Sequence, residues 1–184
     1  MQKAVFLDRD GVLNPLIQRE DGRLTSPWRL SEYEVFPYVK DCIKRIKDMG
    51  FRALVVTNQP GINDGDMIMG DLWEICIHLQ ENIGIDHVMF ALNKKSNQYK
   101  PNPGMFQTLM NIYDVDADSS YLIGDRWKDI VPANKCSIKT ILVNSDSYKY
   151  EPPEEYKHIV PDYNANDLVE AVNIIEMELK NGVR

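Results

Sequence analysis

Short apolar runs alternate along this chain with longer stretches of helical spacing, and this alternation restricts the fold more than any other feature. The runs are apolar at successive positions instead of at every second one, as expected of strands that are covered on both faces. Strands that alternate with helices form a parallel sheet, so we predict an α/β fold with a central parallel sheet. The predicted strands are residues 4–7, 53–56, 88–92, 121–123 and 141–143.

Apolar residues recur at every third or fourth position between these strands, which predicts helices. The predicted helices are residues 39–49, 72–83, 101–113, 128–135 and 168–179. Gly50 and Gly84 are expected to end the first two helices. Pro101 is expected to begin the third helix and Asn166 to cap the last. Residues 14–34, 59–66, 93–99 and 145–155 lack this spacing and are predicted to be loops.

Composition narrows the class of protein. The chain has 184 residues, of which 43% are hydrophobic, and this suits one domain with a sizeable core over residues 1–184. Its net charge of -7 argues against binding nucleic acid or an anionic membrane. Cys42, Cys76 and Cys136 are far apart and lack metal-ligand spacing, so we expect buried apolar residues in a reducing compartment. Without an apolar run long enough for a signal peptide or a membrane span, the expected location is the cytoplasm.

Two carboxylates end the first predicted strand. Asp8 and Asp10 stand two residues apart, and Gly11 follows them. Acids at the end of a buried strand are unusual unless a cation meets them. Mg²⁺ binds one or two protein carboxylates together with phosphate and water oxygens. Gly11 would let the backbone turn sharply and bring N–H groups close to an anion. Taken alone, a run of this kind is more often an ordinary polar loop.

A second apolar strand also ends in glycine and acid, at Gly124 and Asp125. Because ligands in open α/β sheets bind beyond the carboxyl ends of strands, we expect Asp125 to complete a metal site with Asp8 and Asp10. Asp129, four residues later in the first turn of the next helix, is expected to face the same site. The alternative, that Asp125 caps this helix, accounts for one acid but not for acids at two strand ends.

Two further segments carry groups suited to a phosphate. Thr57 and Asn58 end the strand at residues 53–56, where a hydroxyl and a backbone N–H are neutral donors. Lys100 precedes a predicted helix and supplies a compact cation for a phosphate or for an aspartate that becomes phosphorylated. In isolation, a polar turn explains Thr57 and Asn58 equally well, and a lone lysine is usually a solvated surface group.

In type and order, these residues resemble the haloacid dehalogenase (HAD) superfamily of phosphohydrolases. The superfamily pattern is D-x-D after the first strand, Thr or Ser after the second, then Lys, then G-D-x-x-x-D. In this chain it reads Asp8 and Asp10, Thr57, Lys100, and Gly124, Asp125 and Asp129. The strings FLDRDGVLN, VTNQPGI, KPNPGM and IGDRWKDI are similar to those of the heptose bisphosphate and histidinol phosphate phosphatases. The resemblance covers about residues 3–143.

The resemblance implies a three-layer, Rossmann-like fold and Mg²⁺ as cofactor. It implies that Asp8 attacks phosphorus, while Asp10 acts first as general acid and then as base. It also implies that Asp8, the Asp10 carbonyl and Asp125 hold the metal, with Asp129 supporting the metal's water shell. The residues that it implies for phosphoryl binding are Thr57, Asn58, Lys100 and the backbone N–H of Arg9.

The chain departs from that subgroup in two places. Many members have a zinc loop of Cys and His just before the lysine, whereas residues 92–99 here contain neither, so we predict no zinc. Members usually have arginine before the lysine, and this chain has Tyr99. The intervals between the motifs leave little room for an inserted cap domain. A second, distal phosphate would have to meet cations of the loops. The candidates are Arg19, Arg23, Arg29, Lys94 and Lys95, each of which is otherwise a solvated charge.

The leading prediction is a phosphatase acting through an aspartyl phosphate on a sugar phosphate such as heptose 1,7-bisphosphate, with histidinol phosphate second. A phosphoryl transferase or mutase, a non-catalytic phosphate-binding protein and a nucleic-acid 3′-phosphatase are the alternatives. A non-catalytic protein is expected to lack at least one of Asp8, Asp10, Lys100 and Asp125, and all four are present. The negative charge argues against a polynucleotide. We expect a monomer whose partner is a small phosphate ester, with no nucleic acid and no membrane.

Overall fold

The structure, a computed structural model, describes residues 1–144 and 149–182. The main sheet formed by these residues has six strands, all parallel. The strands are β1 Lys3–Leu7, β4 Phe51–Asn58, β5 His87–Ala91, β6 Tyr121–Gly124, β7 Lys139–Val143 and β8 Tyr163–Ala165. Their order across the sheet is β5-β4-β1-β6-β7-β8. The predicted α/β class and all five predicted strands are confirmed. β8 extends the sheet beyond them by pairing with β7.

Six α-helices accompany the sheet in the described part of the chain. They are α1 Val39–Asp48, α2 Gly61–Asp64, α3 Met69–His78, α4 Gly104–Tyr113, α5 Trp127–Lys135 and α6 Leu168–Asn181. A π-helical segment, Leu79–Ile83, continues α3. Gly50 and Gly84 follow the first two predicted helices with positive φ, as helix-ending glycines do.

One predicted helix start and one predicted cap were wrong. The third predicted helix begins at Gly104 and not at Pro101, because the N–H groups of Asn102 and Gly104 bond to the carbonyls of Tyr99 and Asn97 in a turn. The cap of α6 is Asp167 and not Asn166. The Asp167 carboxylate accepts a hydrogen bond from the N–H of Glu170 at 2.8 Å, which satisfies a free donor of the first turn.

Helices cover both faces of the sheet, and each face has its own apolar core. Val5 and Leu7 of β1 pack with α1, α3 and α6, whereas Ala4 and Phe6 pack with α4 and α5. The alternation follows from strand geometry, because successive side chains point to opposite faces. Strands apolar at every position therefore have both faces buried, and the fold is the three-layer arrangement expected of the resemblance.

The predicted loop at residues 14–34 contains structure that was not predicted. A two-stranded antiparallel ribbon, β2 Ile17–Gln18 and β3 Leu24–Thr25, is followed by a 3-10 turn, Leu30–Glu32. Another short turn, Glu154–Tyr156, lies in the loop predicted for residues 145–155, of which residues 145–148 lie outside the described residues. Between β1 and α1, all of which is described, no separate cap domain is inserted.

Two of the three cysteines are buried, as the sequence predicts. These are Cys42 and Cys76, whereas Cys136 is only partly buried. Within residues 1–144 and 149–182, no helix is both long and apolar enough to cross a bilayer.

Candidate active site

The site lies at the carboxyl edge of the sheet, where three neighbouring strands end. Asp8 follows β1, Asp125 follows β6, and Thr57 lies at the end of β4. Because β1 pairs with β4 on one side and with β6 on the other, these ends meet at one edge. All three side chains are buried, as are those of Lys100 and Asp129. The strand ends that the sequence predicted to converge are therefore together.

Three carboxylates form the centre of the site. Asp8, Asp125 and Asp129 each offer an oxygen, and these oxygens lie within 4.8 Å of one another. Glycines permit this approach: a Cβ at Gly11, where φ is +90°, would lie 2.3 Å from Oδ2 of Asp125, and one at Gly124 would lie 2.4 Å from Cβ of Asp129. No side chain fits at either glycine without displacing an acid.

The acid cluster has an excess of negative charge. Burial, then Asp129 and Asp8, raise the pKa of Asp125 to about 8. Burial and Asp129 also raise the pKa of Asp8 to about 6, although Lys100 opposes the shift. Among the described residues, both carboxylate oxygens of Asp125 lack a hydrogen-bond partner, and Nε of Arg126 lies 3.6 Å from Oδ1. Buried oxygens of this kind fit a hard divalent cation.

Lys100 joins two of the acids from the opposite side. Its Nζ donates to Oδ1 of Asp8 at 2.9 Å and to Oδ1 of Asp129 at 2.5 Å. A third bond, at 2.8 Å, goes to the carbonyl of Val56. Although burial lowers the pKa of Lys100, the two carboxylates raise it above its usual range. The lysine is thus a fixed buried cation and not a solvated surface group.

Asn58 and Asp129 have structural roles that the sequence did not predict. The side chain of Asn58 exchanges two hydrogen bonds of 3.0 Å with the backbone of Lys100 and so holds this residue in place. Oδ2 of Asp129 accepts from the N–H of Arg126 at 3.0 Å at the start of α5. The helix start is therefore satisfied by Asp129, and the alternative that Asp125 serves as its cap is wrong.

The carboxylate of Asp10 is not part of the cluster of Asp8, Asp125 and Asp129 and has hydrogen-bond partners of its own. It accepts hydrogen bonds from the side chains of Arg9, Asn14 and Gln59. Its predicted contribution to a metal through the main-chain carbonyl remains a prediction. The backbone N–H of Arg9, predicted to face phosphate, donates to Oδ1 of Asp8 at 2.8 Å. The sequence patterns did not identify the three side chains that hold Asp10. A signal existed only for Gln59, which is a polar residue directly after a buried strand.

A cleft leads from the acids to solvent. A cavity of about 50 Å³ has Asp8, Thr57 and Lys100 in its wall. A second cavity, of about 240 Å³, adjoins it and has Trp28 and Tyr99 in its wall. The residues that line both cavities are Asp10, Asn58, Arg126 and Lys128. The small cavity suits a phosphoryl group and the larger one the rest of a small ester.

One of the five cations predicted for a distal phosphate, Arg23, lines the larger cavity, and it is paired with Asp21. Lys128 was not predicted, and burial together with nearby Arg126 lowers its pKa. Within the described residues, no carboxylate lies within ion-pair distance of Lys128. The other predicted cations do not line the cleft: Arg19 is paired with Glu32, Lys94 with Asp64, and Arg29 and Lys95 are exposed.

Several known proteins are similar to this chain. Residues 99–171 match a family model described as HAD-hydrolase-like. The chain is 30% identical over 171 residues to a D-glycero-alpha-D-manno-heptose-1,7-bisphosphate 7-phosphatase of Photorhabdus laumondii, covering 83% of this chain and 88% of that one. It is 28% identical to a D-glycero-D-manno-heptose-1,7-bisphosphate 7-phosphatase of Chlorobaculum tepidum, covering 92% of each.

A solved structure shares the fold. The D,D-heptose 1,7-bisphosphate phosphatase from B. bronchiseptica, complexed with magnesium and phosphate, aligns with a TM-score of 0.78 at 23% identity, covering 96% of this chain and 99% of that one. The chain thus belongs to the HAD-like phosphatases, which are hydrolases of phosphate monoesters. Within that class, its sequence resembles the heptose bisphosphate phosphatases.

Proposed function

We propose that this chain, as one domain over residues 1–184, is a Mg²⁺-dependent phosphatase that works through an aspartyl phosphate on Asp8. The observation that carries the proposal is the position of the Asp8 carboxylate. It lies within 4.8 Å of oxygens of Asp125 and Asp129 and accepts a 2.9 Å hydrogen bond from Lys100. A carboxylate that attacks an anionic ester needs positive charge around it, which Lys100 supplies here and a cation held by the three acids would increase.

The first half of the reaction moves the phosphoryl group to the protein. A carboxylate oxygen of Asp8 attacks phosphorus, the bond from phosphorus to the ester oxygen breaks, and Asp10 gives a proton to that oxygen. Thr57, Lys100 and the backbone N–H groups of Arg9 and Asn58 orient the phosphoryl oxygens. This arrangement holds the ester in line with its nucleophile and stabilises charge in the transition state.

The second half releases phosphate. A water oxygen attacks phosphorus, the bond to Asp8 breaks, and the proton of the water passes to Asp10. Asp8, Asp125 and the carbonyl of Asp10 would hold Mg²⁺, with Asp129 supporting its water shell. When bound there, the ion supplies the positive charge that offsets repulsion between Asp8 and the ester. No zinc is part of the proposal.

We propose a sugar phosphate, with heptose 1,7-bisphosphate first, as the substrate. The names of the similar proteins and the polar 240 Å³ cavity support this choice. The test is release of inorganic phosphate from a panel of esters, with Mg²⁺ and with a chelator. The panel contains heptose 1,7-bisphosphate, hexose phosphates, histidinol phosphate and an oligonucleotide with a 3′-phosphate. We expect the bisphosphate to give the highest kcat/KM, and only with Mg²⁺. A higher kcat/KM for histidinol phosphate or for the oligonucleotide would overturn the proposed substrate. Formation of an isomerised ester without free phosphate would indicate a mutase.

Asp125→Asn is expected to raise the Mg²⁺ concentration required for half-maximal activity by at least about tenfold. The amide keeps the size of the carboxylate but removes a negative ligand from the cluster, and even changes beside a metal ligand cost about 10- to 100-fold in metal affinity. Titration of activity with Mg²⁺ measures the effect. Asp118→Asn, which changes an exposed acid, is the control and should match the unaltered chain. An unchanged Mg²⁺ requirement in Asp125→Asn would show that this residue does not hold the ion.

Lys128→Gln is expected to lower kcat/KM for a sugar bisphosphate about tenfold and to leave that for a sugar monophosphate nearly unchanged. The lysine lines both cavities, and a charged hydrogen bond to a second phosphate contributes about 1.5–3 kcal/mol. Steady-state kinetics with the two esters measure the ratio. Lys95→Gln, in an exposed position outside the cleft, is the matched control. Equal losses for both esters would show that Lys128 does not select a second phosphate.

A further inference from the structure

We propose that the side chains of Arg9, Asn14 and Gln59 are positioning residues that direct the carboxylate of Asp10 as the base of the second half-reaction. The three residues are called the carboxylate cradle below. The inference rests on the proposed function, because it assigns the cradle to the hydrolysis of an aspartyl phosphate. The inference adds these three residues to the acids of the sequence motifs.

The cradle surrounds Asp10 with donors. Oδ1 of Asp10 accepts from Nε of Arg9 at 3.0 Å, from Nη2 of Arg9 at 2.9 Å and from Nδ2 of Asn14 at 3.1 Å. Oδ2 accepts from Nη2 of Arg9 at 3.0 Å and from Nε2 of Gln59 at 2.7 Å. Five hydrogen bonds from three directions fix the plane of the carboxylate. Because every one of these partners is a donor, both carboxylate oxygens of Asp10 serve as hydrogen-bond acceptors.

Burying the polar side chains of the cradle costs free energy, and a function for the cradle would explain why they are buried. Arg9 and Asn14 are 0% exposed and Gln59 is 1% exposed. In the described part of the chain, Nη1 of Arg9 is buried without a hydrogen-bond partner, and the ring of Tyr33 lies 6.0 Å from the guanidinium carbon. Buried ion pairs contribute little to stability compared with apolar side chains of the same volume. A residue that only filled this space would not need a guanidinium, which indicates that the direction of the Asp10 carboxylate matters.

Gln59 connects the cradle to the phosphoryl site. Its Nε2 donates to Oδ2 of Asp10 and, at 2.9 Å, to Oγ1 of Thr57. One amide therefore sets the position of the base relative to a residue proposed to orient the phosphoryl group. In the second half-reaction a water must lie between phosphorus and Asp10. A small displacement of the phosphoryl group or of the Asp10 carboxylate slows that step strongly. In the first half-reaction, an ester with a good leaving group needs no proton from Asp10.

The test is Gln59→Met with p-nitrophenyl phosphate in rapid-mixing experiments. Methionine keeps the length of the side chain but donates no hydrogen bond. We expect a burst of nitrophenolate at nearly the unaltered rate, followed by steady-state turnover at least about tenfold slower, with KM lowered as well. Acid quenching and intact mass measurement should show a larger fraction of chains carrying one phosphoryl group. A residue with a purely structural role would not shift this fraction.

Gln98→Met is the matched control, since it removes a hydrogen bond to Thr108 outside the cradle. It should give the kinetics and phosphorylated fraction of the unaltered chain. If Gln59→Met is folded and keeps both its turnover and its phosphorylated fraction, the inference is wrong. It is also wrong if the burst slows as much as the turnover. Should Gln59→Met fail to fold, Arg9→Lys, which keeps the charge but loses the two-pronged contact, decides the question by the same readouts. Absence of a phosphorylated form in every variant, with turnover retained by Asp8→Asn, would refute the proposed function instead.

Discussion

Asp8→Asn is expected to lower phosphate release by at least about 10⁴-fold, the scale on which loss of a nucleophile acts in other covalent enzymes. The amide has nearly the same shape as the carboxylate, but it cannot form a stable bond to phosphorus and does not attract a cation. Oδ1 of Asp8 accepts from both Lys100 and the N–H of Arg9, so the side chain is held in place for attack. The loss should therefore be in kcat.

The measurement is phosphate release by the purified variant on the best ester of the panel, at saturating Mg²⁺. Asp118→Asn, the exposed-acid control, should retain full activity. The thermal unfolding midpoint of Asp8→Asn shows whether the site is intact, because a folded but inactive variant separates chemistry from stability. A folded Asp8→Asn chain with a near-normal rate would exclude the aspartyl phosphate.

Lys100→Met is expected to remove activity and also to lower the free energy of unfolding by about 3–5 kcal/mol, the usual cost of breaking a buried ion pair by deleting one partner. Lys100 is 2% exposed and bonds to two carboxylates and a carbonyl. Its removal leaves Asp8 and Asp129 buried beside each other without this cation. The electrostatic support for attack on an anionic ester is lost at the same time.

Denaturation in urea measures the stability, and phosphate release measures the activity. Lys94→Met is the matched control, because the pair of Lys94 with Asp64 is exposed and such pairs contribute about 0–1 kcal/mol. Combining Lys100→Met with Asp8→Asn should recover part of the lost stability, since one uncompensated charge is then absent. A loss below about 1 kcal/mol in Lys100→Met would show that the lysine does not balance the acids.

The sequence was most informative where burial leaves one explanation for a pattern. Strands that are apolar at every position must be covered on both faces, and in a parallel sheet their carboxyl ends share an edge. The placement of Asp8, Thr57 and Asp125 at one edge therefore followed from the apolar runs, whereas their closeness depends on the order of β4, β1 and β6 in the sheet. Short elements left no such pattern: β2 and β3 have two residues each, and β8 has three, one of which is exposed.

Side-chain direction was the other part that the sequence did not determine. Asn166 and Asp167 are both good capping residues, and only the backbone path selects the second. Arginine is normally solvated, so nothing in the motif indicated that Arg9 turns inward to meet Asp10. Likewise, Lys128 lies in the cleft because of its position in the first turn of α5, which depends on how that helix leaves β6. Tertiary packing decides each of these positions.

The central place of β1 has a consequence for folding. Its neighbours are β4, reached after one helix, and β6, which is more than a hundred positions further along the chain. Such distant pairing costs chain entropy and forms slowly, so the cluster of Asp8, Asp125 and Asp129 cannot form in an intermediate that lacks the contact between β1 and β6. The rate at which catalysis recovers after dilution from denaturant would therefore report the rate at which the two halves of the sheet pair. The local helices would form earlier.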